Sequence, residues 1–72
     1  MEKKKLIAYI NAENELADSI LRKAENYERV GADELFIYNY SLNEGEREEF
    51  LLLMRQIAQT IDLPLIIGLY TR

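Results

Sequence analysis

Three short, unbroken apolar runs limit the fold of this chain more than any other feature of its sequence. They are residues 6–10 (LIAYI), 35–40 (LFIYNY) and 65–67 (LII). Such runs are rich in β-branched and aromatic residues and lack the alternation of a half-exposed strand. The sequence therefore predicts three strands that are apolar on both faces.

The segment between the first two runs, residues 12–30, has the pattern of an amphipathic helix. Asn11 is placed to cap its start, and Gly31 is placed for a left-handed C-cap. Its apolar residues recur at helical spacing: Leu16, Ile20, Ala24 and Tyr27.

A second helix is predicted after the loop at residues 41–45, with Ser41 or Asn43 as its N-cap. Asp62 and Pro64 end it, because proline disfavours helix in the residue before it. Its apolar residues give the clearest helical pattern in the chain: Phe50, Leu53, Met54, Ile57, Ala58 and Ile61.

Strand, helix, strand, helix, strand at these lengths predicts one α/β domain over residues 1–72, with right-handed crossovers and a parallel sheet. This unit has the size of a quarter of a (β/α)8 (TIM) barrel. Both helices then cover one sheet face and leave the other face and both edges open. We expect oligomerisation, either as packed sheets or as closure with the remainder of a barrel, to complete the fold. Leu51 and Leu52 widen the apolar stripe of the second helix, either as core or as an oligomer contact.

The composition excludes several classes of function. The chain has no cysteine and no histidine, which removes disulfides, thiolate zinc sites and thiol nucleophiles, and we expect no cofactor and no metal. A net charge of −4 argues against nucleic acid as a partner, and the basic residues 3–5 are expected to be solvated. No apolar run has the length of a membrane span or of a signal peptide, so we expect a cytoplasmic protein without a membrane partner.

Ligand sites of parallel α/β folds lie beyond the carboxyl ends of the strands. Residues there can form hydrogen bonds but include no carboxylate, lysine, thiol or imidazole, and the expected ligand-binding set is Asn11, Asn39, Tyr40, Ser41, Gly68 and Tyr70. The tyrosines at this rim are either amphipathic filler or a ring-stacking site. At the opposite end of the strands, Lys5 and Glu34 are expected to form a structural ion pair. The glutamates at 44–49, in the loop and first turn of the second helix, are expected to form a solvated acidic cluster that favours the helix dipole.

The motif GADELFIYN at residues 31–39 resembles the second strand of the cyclase subunit of imidazole glycerol phosphate synthase. Residues 5–11 and 63–68 resemble its first and third strands, and Glu46-Arg47-Glu48 opens the second helix in the same register. The likeness is greatest to the cyclase-like N-terminal segment of bifunctional phosphoribosyl-AMP cyclohydrolase/phosphoribosyl-ATP pyrophosphatase proteins. It implies the first quarter of a (β/α)8 barrel from histidine biosynthesis.

The same resemblance implies a lost active site. The family has catalytic aspartates where this chain has Asn11 and Asn39, and an amide cannot accept a proton in their place. Its glycine-rich phosphate turn is replaced by Gly68-Leu69-Tyr70, and its long lysine-bearing loop after the first strand is expected to be absent.

These losses predict a catalytically silent, self-associating or docking scaffold. One alternative is a segment of an active histidine-biosynthesis enzyme whose catalysis lies elsewhere. The other is a small module that binds a phosphorylated or aromatic ligand.

Overall fold

The computed structural model describes residues 4–69, which form a three-stranded sheet and two helices. The sheet has the order β1-β2-β3, and both strand pairs are parallel. The predicted α/β class and parallel sheet are confirmed. The elements are β1 (Ile7–Asn11), α1 (Ala17–Arg29), β2 (Glu34–Asn39), α2 (Glu44–Thr60) and β3 (Leu65–Leu69).

One core lies between the sheet and both helices. The central strand β2 contributes Leu35 and Ile37, and α2 contributes Met54 and Ile57, all four almost completely buried. Ile20 and Ala24 of α1 belong to the same cluster. Burying aliphatic side chains of this size contributes about 1.5–3 kcal/mol each. Both helices therefore lie on one face of the sheet, as predicted from the crossover rule.

The other face of the sheet has no helix over it in the described part of the chain. Tyr9 on β1 is 61 % exposed and Ile66 on β3 is 42 % exposed, although both belong to strands. Two helices can cover only one face, so the apolar residues that alternate with the core residues remain in contact with solvent.

Two helix ends follow the predicted chemistry. Gly31 has φ +93°, and the amides of Gly31 and Ala32 donate to the carbonyls of Glu28 and Tyr27, which is a Schellman motif. At the start of α2, the Asn43 side chain accepts from the Glu46 amide, and the Glu46 carboxylate accepts from the Asn43 amide. This capping box identifies Asn43, not Ser41, as the N-cap.

The predicted start of α1 is wrong by five residues. The Asn11 side chain accepts from the amide of Glu13 and so forms a local turn instead of capping a helix. Asn14 has a left-handed φ of 59°, and α1 begins only after Leu16, which offers no side-chain cap. Residues 12–16 therefore form a loop after β1, and the expectation that Asn11 leads directly into α1 is not met.

Replacing the glycine at the end of α1 should destabilise the domain. Gly31→Ala places a Cβ at a left-handed position and should lower the free energy of unfolding by about 1 kcal/mol. Urea unfolding followed by circular dichroism measures this change.

The matched control is Gly45→Ala, in the first turn of α2. A Cβ there meets only the Asn43 side chain at 3.5 Å, so this change should be neutral or stabilise by about 0.5 kcal/mol. Equal effects of the two substitutions would contradict the assigned C-cap.

Candidate functional site

A cavity of about 340 Å³ lies where the carboxyl ends of β1 and β2 meet the starts of α1 and α2. This is the position at which parallel α/β folds bind ligands. Its walls are mixed, because apolar Ile20 and Phe50 stand beside amide and carboxylate side chains.

Asn39 is the buried polar residue at this edge, with 8 % of its surface exposed. Its amide nitrogen donates to the Ala12 carbonyl at 3.3 Å, and its amide oxygen accepts from the Ser41 amide at 3.0 Å. The side chain thereby joins the loops that follow β1 and β2. Because both polar atoms already have partners inside the fold, Asn39 holds the site together and offers little to a ligand.

The structure divides the predicted rim between the two faces of the sheet. Asn39 and Ser41 line the cavity. Tyr40 and Gly68 lie on the opposite face of the sheet. Asn11 is exposed, and its side-chain oxygen accepts a hydrogen bond from the Glu13 amide. These residues therefore do not form one ligand site. Tyr70 lies outside the described residues.

Gly68 is also placed differently from the prediction. It lies inside β3, paired with Tyr38 across the sheet, and not in a turn after the strand. A Cβ on Gly68 would come within 2.9 Å of the Phe36 ring, of Tyr38 Cβ and of the Tyr40 hydroxyl. The missing side chain leaves space that aromatic rings occupy, so the residue has a packing role.

Three carboxylates line the cavity: Glu15 is absent from the predicted site residues, and two others belong to the acidic cluster at residues 44–49 that is predicted to be solvated. Glu15, Glu46 and Glu49 line it, because the loop at 12–16 brings Glu15 to the strand ends and α2 begins there. The Ser19 hydroxyl donates to Glu15 at 2.9 Å and the Lys23 ammonium at 3.1 Å, which lowers the pKa of Glu15. The sequence signal for this loop is Asn14, because asparagine adopts the left-handed backbone conformation more readily than most residues and so favours a turn.

These carboxylates restrict what the cavity can do. Glu46 already belongs to the capping box, and Glu15 stays ionised because of its hydrogen bonds. An ionised carboxylate with a lowered pKa is a poor proton donor and acceptor at neutral pH. The negative charges also disfavour a phosphorylated ligand.

An aromatic ladder crosses the uncovered sheet face. Ring centroids are 5.5 Å apart for Tyr9 and Phe36, 6.0 Å for Phe36 and Tyr38, and 5.4 Å for Tyr38 and Tyr40. We call the ladder, together with Ile66, the aromatic face. Neighbouring rings at these distances attract one another and hold one another in place.

Charged groups border the aromatic face at both ends: the Glu13 carboxylate accepts from the Tyr40 amide at 3.3 Å at one end, and an ion pair lies at the strand starts at the other. Lys5 and Glu34 form this ion pair, and hydrogen bonding to Glu34 raises the pKa of Lys5. Beside it, the Asp33 carboxylate accepts from the Leu6 amide at 2.8 Å and ties the start of β1 to β2.

None of the protein-family models, curated proteins or solved structures that we compared matches this chain. Among residues 4–69, no three metal-ligating side chains converge. The same residues include no helix with the length and apolar character needed to cross a bilayer.

Placing a carboxylate at the buried amide should destabilise the fold. Asn39→Asp keeps the acceptor for Ser41 but removes the donor to the Ala12 carbonyl, so we expect a loss of about 2 kcal/mol at pH 7. Burial and the facing carbonyl should raise the pKa of the new carboxyl in the folded state. The folded state then binds the proton more tightly, and the loss should shrink as pH falls from about 7 towards about 4.

The control is Asn11→Asp, at an exposed position where a carboxylate can still accept from Glu13. It should cost little at any pH. Unfolding titrations at several pH values compare the two variants, and a pH-independent loss for Asn39→Asp would contradict the assigned hydrogen bonds.

Proposed function

We propose that this chain is a self-associating scaffold module without a catalytic site of its own, in which a second copy covers the aromatic face. The main support is the ladder of aromatic rings on the solvent-facing side of the sheet, whose other side forms the core. Contiguous apolar patches on a folded surface are typical of interaction sites. A rigid ring ladder can be buried at low cost in side-chain entropy.

Charge makes the aromatic face the surface on which a copy of the same chain is least repelled. The chain carries a net charge of −4, so two copies repel each other over most of their surfaces. The residues that form the aromatic face are uncharged. Of the carboxylates at its border, Glu34 is paired with Lys5, and Glu13 accepts a hydrogen bond from the Tyr40 amide. This face can therefore meet its copy without placing like charges in contact.

The size of the face sets the strength of the contact. Three strands of about five residues give a face of roughly 14 by 17 Å. Even when the surface of the protruding side chains is included, the area of this face stays below the roughly 800 Å² per partner that stable complexes bury. We therefore expect association through this face alone to be weak and dependent on concentration.

Docking to the remainder of a (β/α)8 barrel is the second candidate. It is favoured by the sequential parallel order β1-β2-β3, in which the outer edges of β1 and β3 have no partner among residues 4–69. Descent from a histidine-biosynthesis cyclase, and membership of an active enzyme of that pathway, rest on the sequence resemblance alone. The phosphate-binding alternative is disfavoured by the carboxylates of the cavity.

Adding charge to the aromatic face should weaken the assembly. The double variant Tyr9→Lys/Ile66→Lys alters only side chains that solvent already reaches, so the core should stay folded. We expect sedimentation equilibrium to show at least a tenfold weaker dimer, in line with the cost of like charges across an interface, about several kcal/mol.

Val30→Lys is the matched control, because Val30 is also exposed and apolar but lies at the end of α1. It should leave the association constant unchanged. A wild-type chain that stays monomeric and folded at all accessible concentrations would overturn the proposed function.

A further inference from the structure

The outer side of α2 carries a second apolar patch, separate from the aromatic face. Leu51 and Leu52 are 42 % and 59 % exposed, and together with Glu48 and Arg55 they line a shallow groove of about 340 Å³. The four residues stand at positions i, i+3, i+4 and i+7 of one helix, so they form a continuous stripe. We call this set the α2 stripe.

The α2 stripe lies away from the core of the domain. The buried residues of α2 are Phe50, Met54 and Ile57, which lie on the other side of the helix. The buried face of α2 already makes the contact with the core, so packing within the domain does not explain the two leucines that face water. Neither Glu48 nor Arg55 forms an ion pair within residues 4–69, so both charged ends of the stripe can bind a partner.

The order of these residues is self-complementary. An acidic residue stands at one end, a basic residue at the other, and the two leucines lie midway between them. If two copies of α2 cross antiparallel about a two-fold axis at the leucines, Glu48 of each copy faces Arg55 of the other. A parallel arrangement would instead set Glu48 against Glu48 and Arg55 against Arg55.

We propose that α2 pairs antiparallel with α2 of a second copy, with the leucines at the two-fold axis and two symmetric Glu48–Arg55 ion pairs. A two-fold interface uses the same patch on both partners, and this stripe has the charge order that such symmetry requires. The inference deepens the proposed self-association and rests on it. The α2 stripe and the aromatic face lie on opposite sides of the domain, so each copy can hold two others and form tetramers or longer assemblies.

The test exchanges charges in the Tyr9→Lys/Ile66→Lys background, in which the aromatic face no longer contributes. Glu48→Arg alone and Arg55→Glu alone each place like charges opposite each other twice. Each should weaken the remaining dimer about tenfold, since two exposed pairs change from attraction to repulsion. The variant carrying both changes restores opposite charges and should return to within about twofold of its parent.

Matched controls separate this effect from net charge. Glu25→Arg and Arg22→Glu make the same charge changes at exposed positions of α1, outside the stripe. They should leave the dimer unchanged. Raising the salt concentration should reduce the difference between the single and the double exchange, because exposed ion pairs are screened.

The outcomes distinguish this inference from the proposed function. If the background variant is monomeric while the wild-type chain associates, the α2 contact is absent and the aromatic face stands. The α2 contact is also absent if the double charge exchange weakens the dimer as much as either single exchange does, or if the α2 stripe binds only a different protein. If the wild-type assembly resists Tyr9→Lys/Ile66→Lys but responds to the charge exchange, the aromatic face is overturned and the α2 contact stands.

Discussion

The two helices of this chain connect sequential parallel strands and lie on the same side of the sheet. The core depends on this arrangement, because Leu35 and Ile37 on the central strand are buried only where α1 and α2 meet over them. The exposed face depends on it as well. The strand residues that alternate with the core residues point to the face that no helix covers in the described part of the chain, and several of them are aromatic.

The chain reduces the cost of that exposed face by packing its rings against one another. The ladder from Tyr9 to Tyr40 replaces part of the water contact of each ring with contact to its neighbour. Enough apolar surface stays exposed to favour association. We propose two modest contacts between copies, one through the aromatic face and one through α2. Their combination would give a stable assembly that neither contact would support alone.

Local signals in the sequence were sufficient for most of the fold. Gly31 and Pro64 mark helix ends through backbone constraints that act within a few residues. The apolar runs mark strands because β-branched and aromatic side chains pack well on a buried, pleated surface. The start of α1 was misjudged because the apolar pattern extends through Leu16, although Asn14 turns the chain first. The roles of Asn39 and Gly68 depend on contacts between residues far apart in sequence. No periodicity could show that an amide joins two loops or that three aromatic residues surround a glycine.

The packing at Gly68 couples positions that are distant along the chain. The glycine leaves room on β3 for the rings of β2 and for the Tyr40 hydroxyl. A larger residue at this position must displace Tyr38, whose Cβ lies too close, and is tolerated more easily once a smaller side chain stands at position 36 or 40. The acceptability of a substitution therefore depends on the order in which changes arise, and the aromatic face is expected to evolve as a covarying unit together with this glycine and not one residue at a time.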